Sequence, residues 1–261
     1  MYRNREYIQR ALKSFEGTDD KRLMGTVQLN LAVAYGILGC YDEALTYFQR
    51  ARSHFEEVGD LARLAELHYQ LGMVLLVRGA IPESEQEFDT SAAFSAKSAK
   101  KHLIGLAHLG KAHAYFERED IPTAFMLAEQ AQECFSPSND RAYLAEVYKL
   151  KGMIRREQQQ FELALWYLYT SLRVQLELGN TASVGSCYFE LGKLYVARRK
   201  RGEARRAFKK SLRCFQHAGV RSNIARAAHE LHELKVLRGT INEIRRARPN
   251  KIGGRTGARE G

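Results

Sequence analysis

The chain has 261 residues, 45% of them hydrophobic, with four prolines and a formal net charge of +11. That apolar content can bury a sizeable core, which excludes a largely disordered chain, and no run approaches the 18 uninterrupted apolar residues of a membrane-spanning helix. The opening residues, MYRNREYIQRALKSF, lack the apolar stretch of a secretory signal, so a cytoplasmic protein is expected.

The first predicted element is a helix over residues 5–16. Its Tyr7, Gln9, Arg10, Ala11, Phe15 and Glu16 return forty residues later as Tyr47, Gln49, Arg50, Ala51, Phe55 and Glu56. The segment therefore reads as the second helix of a repeating unit that lacks its first, either capping an array or left from a longer one.

Five full units follow, near residues 25–64, 65–104, 105–144, 145–184 and 185–220. Their period is carried by small residues: Ala32, Gly72, Ala112, Gly152 and Gly192 stand forty apart. Two more columns keep the register, Ala44, Ser84, Ala124, Ala164 and Ala204, then Ala51, Ser91, Ala131, Ser171 and Ser211. Apolar residues three and four apart make each unit an antiparallel pair of helices, A and B, and strand alternation is nowhere sustained. Small residues facing each other let two helix backbones approach closely. Pro82 and Pro122, each after an isoleucine, suit the first turn of a B helix.

Two irregularities fall in the middle units. Lys111 and Lys151 occupy the column of Leu31, Leu71 and Leu191, and Arg155 stands in the column of Tyr35, Tyr115 and Tyr195. Beyond the fifth unit, residues 222–238 are expected to form a capping helix with Ile224, Ala228, Leu231 and Leu234 on one side. A short helix at 241–246 and a disordered basic tail to residue 261 complete the reading.

The stretches LAVAYGILGCYDEALTYFQRA and LGKLYVARRKRGEARRAFKKS resemble tetratricopeptide repeats, in which a Leu-Gly/Ala-x-x-Tyr helix precedes Ala-x3-Phe. The forty-residue unit, longer than the usual one, is similar to those of Leu-Gly-Asn-type adaptors and bacterial signalling scaffolds. HEAT repeats share the length but not the Ala-x3-Phe signature. The resemblance, which covers about residues 5–240, implies an all-α, right-handed superhelical solenoid whose A helices line a concave surface. Its inward positions would be Leu29, Val33 and Gly36 in the first unit and Tyr69, Met73 and Leu76 in the second. The later units would add Leu109, His113 and Phe116, then Lys149, Met153 and Arg156, then Phe189, Lys193 and Val196. This set is largely apolar and lacks the Lys/Asn/Arg ring of a chaperone-type carboxylate clamp. It suits an amphipathic helix or an extended segment with apolar anchors.

No catalytic constellation, phosphate loop or cofactor motif is present in the sequence. Cys40, Cys134, Cys187 and Cys214 lack metal-ligand spacing and read as free thiols. HELHE, from His229, has its second histidine three residues on instead of the four that place two ligands on one helical face, so no metal is expected. His108 and His113 diverge on a helix and read as structural or groove polar groups.

Charge is unevenly placed. Residues 193–261 hold 20 Lys/Arg against 5 Asp/Glu, while residues 1–192 hold 21 against 25. The densest run contains Arg198, Arg199, Lys200 and Arg201, then Arg205, Arg206, Lys209, Lys210 and Arg213 at helical spacing on the outer side of the fifth B helix. Such a ridge attracts nucleic acid, an acidic protein segment or an anionic membrane surface. The leading expectation is a non-enzymatic adaptor that holds a peptide or protein segment in its groove. A nucleic-acid- or ribosome-associated protein using the basic surface, and the sensor or peptide-receptor portion of a signalling protein, are the alternatives.

Overall fold

The computed structural model describes residues 19–136 and 140–247, with side chains as far as Val236. The expected helix at 5–16 and the tail from residue 248 lie outside the described residues. Eleven helices and no strand occur among the described residues. They are α1 (Lys21–Leu38), α2 (Tyr41–Glu57), α3 (Leu61–Arg78), α4 (Ile81–Ser98), α5 (Lys101–Glu117) and α6 (Ile121–Phe135), followed by α7 (Arg141–Glu157), α8 (Phe161–Glu177), α9 (Thr181–Ala197), α10 (Arg201–Ala218) and α11 (Arg221–Ala247).

The odd-numbered helices α1 to α9 are A helices and the even-numbered ones are B helices. A helices start at residues 21, 61, 101, 141 and 181 and α11 follows at 221, so the forty-residue period fixes where helices begin. At three of the six starts the preceding residue explains this. Asp20, Asp60 and Asn180 accept hydrogen bonds from the backbone N–H groups of Leu23, Arg63 and Ser183 at 3.0–3.2 Å, satisfying donors that the helix leaves unpaired.

Each A helix packs on its own B helix through the small columns, and all fifteen of those residues are buried. Where an A helix has glycine, the space goes to its partner: a methyl at Gly72, Gly152 or Gly192 would stand 2.5–2.7 Å from Phe88, Leu168 or Phe208. A further column repeats the device in alternate units. Methyls at Gly25, Gly105 and Gly185 would meet Phe55, Phe135 and Phe215 at 2.7–2.9 Å. The second and fourth units place Ala65 and Ala145 there, with Ser95 and Gln175 in the phenylalanine column, all buried. Larger and smaller partners thus trade volume, as close-packed interiors require.

Successive A helices touch one another while successive B helices do not pack together, so the stack curves with A helices inside and B helices outside. The last helix, α11, approaches the first, α1. It is one continuous helix of 27 residues where the sequence suggested a cap to residue 238 and a separate helix at 241–246. One glycine, Gly239, costs a helix only about 1 kcal/mol.

The lysines in the leucine column keep the fold's geometry. Lys151 is 3% exposed and its Nζ reaches Gln132 Oε1 at 2.7 Å, under the rings of Phe125 and Tyr167. Its stem takes the place of a leucine while its head finds a partner. Arg155 lies over Phe125 at 4.0 Å instead of continuing the tyrosine column.

Candidate concave binding surface

The curvature gathers the A helices' inner faces, and the positions read from sequence divide there into three groups. Leu29, Tyr69, Leu109 and Phe189 are at most 6% exposed. They pack within core clusters that join neighbouring helices, so they are structural where a groove lining was expected. Gly36 is also buried, against Val74. Val33, Met73, Leu76, His113, Phe116, Lys149, Met153 and Lys193 are partly exposed. Val196 is open to solvent and Arg156 is only 6% exposed.

The inner surface is more polar than its sequence positions suggested. On α7, Lys149 forms an ion pair with Glu146, one turn before it. Glu146 also accepts a 3.3 Å hydrogen bond from Gln175 of α8. Arg156 donates to Glu190 of α9 at 2.6 Å, with both side chains less than a tenth exposed, and its other nitrogens reach Glu157 at 3.0 Å. His113 of α5 stands within electrostatic reach of Lys149, Glu146 and Glu190. Four A helices contribute to this ladder once Tyr69 of α3 is included, because its phenol feels Tyr143 and Glu146.

The protonation states follow. Burial pushes the two carboxyls up, but Lys149 beside Glu146 and Arg156 beside Glu190 outweigh it and hold both below the usual range. Burial pulls Lys149 and Arg156 down, and the same carboxylates more than restore them. For His113 the same carboxylates fall short: burial and then Lys149 lower it to about 4, against a smaller upward pull from Glu146 and Glu190. It is neutral at pH 7. Burial, reinforced by Tyr143 and Glu146, raises Tyr69, which is a neutral phenol. A cavity of about 500 Å³ opens at the end of the ladder, lined by Arg156, Glu157, Gln159, Lys193, Val196 and Glu230.

Glu146, Glu190 and Gln175 are not among the inward positions that the sequence gives. The available signal was Glu190 in a column otherwise holding Asn30, Gln70, Gly110 and Leu150, thirty-four residues after an arginine. Among the described residues, no group of three or more His, Cys, Asp or Glu side chains is placed to hold a metal ion, and no helix is long and apolar enough to cross a membrane.

The basic residues lie at the fifth unit. Arg198 caps α9 and donates to Glu162 at 2.7 Å, Arg199 occupies the turn, and Lys200 and Arg201 begin α10. Arg205, Arg206, Lys209, Lys210 and Arg213 are exposed on α10, opposite the buried Ala204, Phe208, Ser211 and Phe215.

Several solved structures share this architecture. A Rap protein complexed with Competence and Sporulation Factor aligns with a TM-score of 0.63 at 13% identity, over 88% of this chain and 68% of that chain. Aspartyl phosphate phosphatase F from Bacillus subtilis gives 0.61 at 12%, over 89% and 64%. BtubC (BKLC) from P. vanneervenii gives 0.52 at 17%, over 89% and 98%. At these identities the likeness is one of fold. No curated protein matches the chain. A family model of the tetratricopeptide repeat matches residues 23–97 and 143–217, together more than half of the sequence. With its forty-residue helix pairs and their small-residue seams, the chain belongs to the tetratricopeptide repeat family.

Proposed function

We propose that the protein is a non-enzymatic adaptor whose concave face holds a segment of a partner protein. The observation that carries this reading is the inner surface itself. Partly exposed apolar side chains, Met73, Leu76 and Phe116, lead into the charged ladder of Glu146, Lys149, Arg156 and Glu190 and the cavity beside Lys193. An extended or helical segment laid along this face meets apolar anchors at one end and paired charges at the other, which fixes its direction. The fold family supports the reading, as does the neighbour of the same fold that is complexed with Competence and Sporulation Factor. The cytoplasm is the proposed location.

The test is capture of proteins from a nuclease-treated lysate, with the wild-type chain beside a Met73→Asp/Phe116→Asp/Lys193→Glu variant. Tyr69 and Leu109 are left intact because they are core residues. The expected result is a discrete protein that the wild type retains at high salt and the variant, equally helical, does not. Equal retention by both removes the concave face from the reading.

A further inference from the structure

The outward faces of the five B helices occupy matching registers, so they can be compared position by position. Where α2, α4, α6 and α10 carry Thr46, Gln86, Met126 and Arg206, α8 has Trp166. Where the others carry Gln49, Asp89, Glu129 and Lys209, it has Tyr169. With Leu163 and Leu176, these side chains are 49–58% exposed and form an apolar stripe along one helix. A soluble surface has no use for such a concentration in one unit out of five.

The charge around the stripe is one-sided. The acids of α8, Glu162 and Glu177, are taken up by Arg198 and Arg141. Arg173 is exposed on the same helix, and Arg205, Lys209, Lys210 and Arg213 on α10 have no acid within ion-pair distance among the described residues. Arg206 has only Glu203, at 4.0 Å. The two ridges flank α9: Tyr169 Oη meets Tyr195 Oη at 2.9 Å, and Lys210 lies 5.0 Å over the Tyr188 ring. A flat surface resting across adjacent convex ridges meets aromatic and aliphatic side chains from one and cations from the other.

We propose that the outer face of α8 and α10 docks on an anionic lipid bilayer. Trp166, Tyr169 and Leu176 enter the headgroup boundary, and Arg206, Lys210 and Arg213 meet the lipid phosphates. The chemistry favours this occupant. Aromatic and aliphatic side chains standing out beside cations that no acid pairs suit a medium that closes around them and carries negative charge. Single-stranded RNA stacks on exposed rings but leaves Leu163 and Leu176 uncovered. Trp and Tyr flanked by Lys and Arg are what an interfacial surface requires.

Trp166 is the single tryptophan of the chain, so its own emission reports the contact. The experiment titrates the full chain with vesicles of phosphatidylcholine mixed with phosphatidylserine, following emission and co-sedimentation. Phosphatidylcholine vesicles and an oligouridylate serve as the other arms. The expected result is a blue shift with the anionic vesicles alone. Arg206→Gln/Lys210→Gln/Arg213→Gln should lower vesicle binding about a hundredfold, at about fivefold per cation. Trp166→Ser should weaken co-sedimentation, and because all four side chains are exposed the variants keep wild-type helicity. Absence of binding overturns the proposal, and so does sedimentation without a Trp166 shift, which assigns the contact to another part of the chain. A shift with oligouridylate and none with vesicles gives the face to nucleic acid and overturns it too.

Discussion

The first two repeats and the last two have the same helices at the same spacing, yet they differ in what the inner seam holds. At one register the first and second units bury Leu29 and Tyr69, while the fourth places Lys149 there. At another, Gly36 of the first unit corresponds to Arg156 of the fourth, sunk against Glu190. The same backbone therefore tolerates an apolar seam and an ionic one, provided every buried charge finds a partner. An apolar seam is indifferent to its neighbours, whereas the ionic one ties α7 to α9 and gives the concave face a polar end.

The most damaging way to break that contrast is to take one partner from the ionic seam. Glu190→Ala leaves Arg156 inside with only the half-exposed Glu157, and should cost about 3 kcal/mol, read as a drop in urea midpoint at unchanged slope. Replacing both Arg156 and Glu190 by leucine should restore most of the stability, making the fourth and fifth units resemble the first two. A double variant as unstable as Glu190→Ala would show that the seam needs its charges.

A pH titration acts on the same seam more gently. His113 is held neutral, its folded value near 4 lying below the unfolded value of about 6.5. The unfolded chain therefore binds a proton between these values that the folded chain refuses. Stability on this account is full above pH 6.5 and lost as pH falls towards 4, by about 2 kcal/mol at pH 5. His113→Asn should flatten the stability profile between pH 6.5 and 5. It should leave the fall at lower pH, where Glu146 and Glu190, both held low, take up protons. An unchanged slope in the variant would assign the upper window to other groups.

The fold was legible in the sequence because packing repeats: a seam that admits only glycine, alanine or serine leaves the same trace in every unit. The concave site was legible only in part. Tyr69 and Leu109 sit at inward registers, but adjacent A helices close over them, a consequence of curvature that periodicity does not contain. Arg156 was expected to line the groove, and its burial against Glu190 was not legible, because ion pairing across thirty-four residues leaves no local pattern. Trp166 was readable in principle, as an apolar residue in a column otherwise largely polar.

The turns offer the smallest and cleanest comparison. After each A helix the chain passes through one left-handed residue, which is Gly39 and Gly79 in the first two units but Glu119, Gln159 and Arg199 in the next three, with φ of 58–62°. A side chain in that conformation is strained by about 1–2 kcal/mol, part of which glycine returns through its freer unfolded chain. Gln159→Gly should therefore stabilise the protein by about 0.5–1 kcal/mol, and Gly79→Ala should destabilise it by a similar amount. Gln158, next to it, accepts from Arg155 at 2.8 Å and is left in place, and Gln159 is exposed and neutral, so no charge is lost at position 159. A gain in thermal midpoint from Gln159→Gly would mean that the later units bear a backbone strain the first two avoid. No gain would mean that the turn relaxes around the side chain, leaving the ionic seam as the difference that separates the two ends of the solenoid.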